Sequence, residues 1–129
     1  MKKRIASFLL VAALLLGLVW TGSLNVHAAS SMVTSDECIR VLKLYEGFSS
    51  KPYWDYSQYT VGYGTRCPDD MIEYYTQHGI TEAEAEILLK NHLSSVEYDI
   101  NTRIIDKYGI TLTQTQFDAL IMFSYNCGT

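Results

Sequence analysis

Basic residues are scarce in this chain. Lys and Arg number 10 against 14 Asp and Glu, and Lys2, Lys3 and Arg4 account for three of the ten. Beyond them the chain carries 7 basic and 14 acidic residues, a net charge of −7. No basic stripe remains to neutralise phosphates, which argues against a nucleic-acid partner. The same charge gives no help in approaching an anionic surface, so binding to such a polymer would have to come from a shaped groove. Cysteine is sparse as well, limited to Cys38, Cys67 and Cys127. There is no CxxC, and His78 and His92 are not spaced at i, i+4, so no metal-ligand spacing appears. No internal repeat or low-complexity tract stands outside the N-terminal segment.

That segment has the layout of a secretory signal. Met1-Lys2-Lys3-Arg4 is a positive start, Ile5 to Trp20 is an apolar run, and Val26-His27-Ala28 supplies residues a signal peptidase reads. Residues 1–28 are therefore expected to be removed, with the cut after Ala28 or Ala29; the competing reading keeps the run as a membrane anchor. Residues 29–35 read as a polar linker and 36–129 as one small domain, about a hundred residues, which can bury a core unaided. Export would permit a disulfide, and an odd cysteine count leaves one thiol over.

Periodicity outlines the elements. Thr34 to Glu37 fits a capping box, and Cys38, Val41, Leu42 and Tyr45 then recur as one helix face, with Gly47 as a stop. Tyr53-Trp54-Asp55 and Tyr59 to Gly64 read as a hairpin around a polar turn. Gly62 and Gly64 leave one strand face bare, as close approach of a ligand or another backbone requires. Met71 to Gln77 reads as a short helix. Thr81 to Glu84 is a second capping box, opening a long helix over roughly Glu82 to Ile105 with Leu88, Val96, Ile100 and Ile104 as its buried stripe and Ala85, Leu89 and Leu93 beside it. Its length suits a connection between two lobes. Thr113 to Gln116 is a third box, opening an apolar helix through Phe117, Leu120, Ile121 and Phe123. The fold class is α+β: a small hairpin lobe joined by a long helix to a helical lobe.

Chemistry concentrates in one stretch, Tyr45 to Thr65, reading YEGFSSKPYWDYSQYTVGYGT. Glu46 falls in the last turn of a helix, where the macrodipole disfavours a negative charge, and next to Tyr45 and Phe48; both effects should raise its pKa. That suits a general acid. Asp55, in a polar turn, should stay ionised, and Thr60 offers a hydroxyl to hold water. Hydrolysis of a glycoside needs such an acid and a second carboxylate across the sugar. On spacing alone, two solvated surface carboxylates are the commoner reading. The aromatic residues Tyr45, Tyr53, Trp54, Tyr59 and Tyr63 fit either a sugar-stacking platform or a hairpin packed on its helix.

The wider pattern resembles the phage-type lysozymes, glycoside hydrolase family 24. Glu46-Gly47-Phe48, Lys51-Pro52-Tyr53, Asp55 and Tyr59 to Gly64 follow that family's glutamate, aspartate and threonine leading into a GYG-like strand. Thr81 to Ala85 resembles the start of its inter-lobe helix, and Leu112 to Leu120 its core helix. The resemblance implies hydrolysis of the β-1,4 bond between N-acetylmuramic acid and N-acetylglucosamine in peptidoglycan. It also implies no cofactor, glycan strands as the partner, and a monomer. Glu46 would be the acid, Asp55 and Thr60 would position water, and Arg66 and Tyr125 would bind substrate. Cys67 with Cys127 is the favoured disulfide, since both follow elements expected to line the cleft; three reduced thiols are the alternative. The Asp55–Thr60 turn is one residue shorter than the family's, and Thr65 stands where the family has histidine. The family's C-terminal lobe has further helices, so the domain is expected to be incomplete at Thr129.

Overall fold

The first helix owes its start to a residue far away in sequence. In the computed structural model, which describes residues 31–127, Asp118 accepts hydrogen bonds from both the backbone N–H and the hydroxyl of Ser35, at 3.1 and 2.6 Å. Ser35 so held accepts from the Cys38 N–H at 3.1 Å and caps helix α1, Asp36–Glu46. Thr34, the cap expected from its spacing to Glu37, lies one residue upstream, and its N–H donates to Glu97 at 2.8 Å. Glu37 pairs with Arg40 instead of reaching back to the cap.

The inward stripe of α1 also sits one residue from its expected place. Cys38 and Leu42 are buried and Ile39 packs beside them, but Tyr45 is 79% exposed. Lys43 lies over the Tyr63 ring at 4.9 Å, and Glu46 abuts Gly64. Ile39, Leu42, Lys43 and Glu46 thus form the i, i+3, i+4, i+7 face that meets the rest of the protein. This phase turns Tyr45 outward and brings Glu46 in.

Strand β1, Ser49–Asp55, pairs antiparallel with β2, Gln58–Gly62, through the tight turn Tyr56-Ser57, and β3, Thr65–Arg66, pairs with β2. Tyr53 faces Thr60, Asp55 faces Gln58, and Thr60 faces Arg66. Side chains alternate along strands, so these five share one face while Trp54 and Tyr59, in edge contact at 5.3 Å, take the other. Gly62, at φ 67°, brings the strand against the long helix: a Cβ there would lie 2.6 Å from that of Ala85.

A 3₁₀ turn, Asp69–Met71, leads into the short helix α2, Ile72–His78. The long helix α3, Glu82–Ile100, opens with the expected Thr81–Glu84 capping box and buries Ala85, Leu89, Leu93, Val96 and Ile100. It continues as a π-helical segment, Asn101–Asp106. There the repeat widens from i+4 to i+5, so Ile105 is buried where Ile104 was expected; Ile104 and Leu88 are only half-buried. Helix α4, Gln114–Cys127, opens with the Thr113–Gln116 box, and its Phe117 and Ile121 are fully buried, whereas Phe123 is 65% exposed.

One core joins the hairpin to the helices, centred on Leu42, Val61, Ala85, Leu89, Leu93, Phe117 and Ile121. The architecture is the expected α+β one, a small antiparallel sheet and a helical part that share the long helix. Residues 32–35, expected as part of a linker, are pinned: the Asn101 side chain bonds both the N–H and C=O of Met32, at 2.9 and 2.8 Å. The signal segment, 1–28, lies outside the described residues. Cys38 and Cys67 are buried, Cys127 is exposed and all three thiols are free, so the expected Cys67–Cys127 bond is not formed.

Candidate active site

The last turn of α1 delivers Glu46 to the turn between β2 and β3. Gly64, at φ 76°, lets the backbone pass close over the carboxylate: a Cβ there would lie 2.8 Å from Glu46 Oε2 and 3.3 Å from the Tyr125 hydroxyl. Both oxygens therefore flank one point above Gly64. The Tyr125 hydroxyl donates to the Tyr63 carbonyl at 2.6 Å, bringing α4 onto the turn.

Burial lifts the Glu46 pKa above its ordinary value of 4.5. The direction is the expected one, but the covering groups differ. Tyr45 is exposed, and Phe48, 41% exposed, packs on Tyr63 at 5.5 Å. The Gly64 turn and Tyr125 lie over the carboxylate instead. Lys43, one turn earlier on the same helix face, is drawn off to Glu86 at 2.7 Å, which Lys90 also binds at 2.8 Å. Burial, with the nearby Glu46 adding to it, pushes Tyr125 up to about 12.

Next to this turn opens a cleft of about 370 Å³. Its polar wall comes from Gln58 on β2, Arg66 on β3, His92 and Ser95 on α3, and Ser124 with Tyr125 on α4. His92 meets the Tyr125 ring edge-on at 5.3 Å. Arg66 is mostly exposed and shares its guanidinium with Asp69 at 3.1 Å. Of the residues expected from sequence, Arg66 and Tyr125 line the cleft, and Gly64 joins it to Glu46. Thr60 lies beneath, 1% exposed, and its hydroxyl has no hydrogen-bond partner among the described residues. Asp55 is exposed at the hairpin tip and does not line the cleft.

Sequence reasoning missed Gln58, His92, Ser95 and Ser124. His92 and Ser95 stand at i, i+3 beside the buried residues Leu93 and Val96, a polar edge along an apolar stripe; that spacing was a usable signal. Among the described residues no group of three or more His, Cys, Asp or Glu converges as metal ligands.

Residues 43–129 match the phage lysozyme family. The chain belongs to it. Endolysins of Bacillus phage PZA and Bacillus phage B103 are each 31% identical over 100 residues, 75% of this chain. The chain spans about a third of their length, 36% and 35%. Among solved structures, one from S. enterica assigned as a phage endolysin is 25% identical, with a TM-score of 0.58, over 73% of this chain and 93% of its own. The muramidase domain of SpmX from Asticaccaulis excentricus is 25% identical, with a TM-score of 0.59, over 74% of this chain and 59% of its own. In this chain Glu46 does not itself line the cleft; it lies against Gly64, which does.

Proposed function

We propose that this phage lysozyme family member is a glycosidase of bacterial peptidoglycan, cutting the β-1,4 bond between N-acetylmuramic acid and N-acetylglucosamine. The observation that carries the reading is Glu46, half-buried under Gly64 with a raised pKa. A carboxyl whose pKa is raised by burial holds its proton to higher pH than an exposed one and can donate it to the leaving glycosidic oxygen. The neighbouring cleft presents amide, hydroxyl, imidazole and guanidinium groups, which suit the hydroxyls and acetamides of a glycan strand. In the hydrolytic reading Asp55, which would have to turn in from the exposed hairpin tip, and Thr60, whose hydroxyl is now buried, orient the water that attacks the sugar, while Arg66 and the Tyr125 ring hold substrate. Glu46→Gln tests the assignment: lysis of cell walls should be abolished and wall binding kept. Unchanged lysis would remove Glu46 from the mechanism.

A second reading keeps only the acid. Asp55 is exposed and outside the cleft, which favours a lytic transglycosylase, in which the sugar's own hydroxyl displaces the leaving group. Asp55→Asn would then be mild and the products anhydro-sugars; a strong loss with reducing-end products supports hydrolysis. Export through residues 1–28 belongs to the same proposal, and the mass of the mature N-terminus separates a cleaved signal from a retained anchor.

A further inference from the structure

Tyr125 has one hydroxyl proton, and it goes to the Tyr63 carbonyl at 2.6 Å. A phenol has a single O–H to donate, so this hydroxyl has none left for a sugar. Its bond joins α4 to the β2–β3 turn, residues 62 apart in sequence. Tyr63 stands between Gly62 and Gly64, both in the left-handed region, and is held from below: its ring is buried and its hydroxyl donates to Glu82 at 3.1 Å. The Tyr125 bond holds the same turn from above, at the carbonyl next to Gly64. The Thr65 hydroxyl beside it is buried and has no hydrogen-bond partner among the described residues.

We propose that Tyr125 is a positioning residue for the acid, its hydroxyl clamping the Gly62–Gly64 turn down over the Glu46 carboxylate. The proposal rests on Glu46 being the acid, but the clamp can be read without activity. With the bond made, Gly64 and the phenol shield one side of the carboxylate from water. With the bond broken, the turn is free to lift and water reaches the carboxylate. The charged and titratable groups around Glu46 do not offer another route to the same effect. Lys43, on its own helix, is committed to Glu86; from β1 comes Tyr53, near enough to Tyr125 to act on its charge; from α3 comes His92, which meets the tyrosine ring edge-on.

The test is Tyr125→Phe, which keeps the ring and removes the hydroxyl. Glu46 is followed by carboxyl-carbon NMR across a pH titration, and lysis by its pH profile. The expected result is a Glu46 midpoint lowered toward 4.5, with the alkaline limb of lysis moved down in step, because the acid must be protonated to act. Phe123→Ala, an exposed change on the same helix, should leave the midpoint in place. An unmoved midpoint in a folded Tyr125→Phe protein overturns the clamp. If that variant does not fold, the wild-type protein still decides: the Tyr125 hydroxyl proton, held on the Tyr63 carbonyl at 2.6 Å, should give a slowly exchanging NMR resonance, and a proton lost to fast exchange overturns the proposal. A clamp that passes while Glu46→Gln still lyses walls would separate the positioning claim from the enzymatic one.

Discussion

Thr60 sits at odds with simple packing. Its hydroxyl is buried without a partner among the described residues, a state that costs about 1–3 kcal/mol. A side chain kept only for the core would serve better as valine. Thr60→Val should therefore melt at the same temperature or higher, with lysis reduced; a variant that is more stable and fully lytic would leave the hydroxyl without a role. Glu46 carries a similar tension, and its sign is fixed by the direction of its pKa. A carboxyl raised above 4.5 in the fold favours the neutral form there. The fold is unaffected below 4.5 and loses stability as pH rises from there through the raised folded value. Glu46→Gln removes that penalty. Urea melts should show it more stable than wild type at neutral pH and equal in acid, even as lysis is lost.

At the scale of elements, the helices and the hairpin were legible because capping boxes, glycine stops and period-two aromatics are local signals. What escaped was phase. The α1 stripe was expected through Tyr45, yet the helix turns Glu46 inward because its partners are Gly64 and Tyr63, residues of the hairpin. Ser35 caps the helix because Asp118 holds it, and no local pattern records a partner 83 residues away. The stripe on α3 slips by one where the helix widens to a π repeat. The glycines do mark close approach, but Gly64 stands in the turn after β2, not on the strand face where it was expected. Gly62→Ala should destabilise by about 2–4 kcal/mol, since it combines a left-handed backbone with overpacking against Ala85 at 2.6 Å. Denaturant midpoints would measure it, and a shift under half a kilocalorie would mean the strand and helix separate easily.

At the scale of the molecule, the resemblance singled out Glu46, Asp55, Thr60, Arg66 and Tyr125, and of these only Arg66 and Tyr125 line the cleft. The rest of the cleft could not be singled out, since Gln58, His92, Ser95 and Ser124 are ordinary polar residues until three elements bring them to one wall. Only the fold defines that wall. The same dependence on distant partners governs the pinned segment before α1. The amides of Met32, Thr34 and Ser35 bond to side chains 69, 63 and 83 positions away. Bonds with such long loops close late, after the chain between them is ordered. These amides can be satisfied only once α3 and α4 are both in place. Residues at the edge of a domain commonly fray and exchange their hydrogens fast. Here the Thr34 and Ser35 amides should instead exchange as slowly as those of Leu89 and Leu93, opening only when the whole domain opens. They would serve as a clock for the last step of folding, and fast exchange at Thr34 and Ser35 beside a protected α3 would show that the domain closes without them.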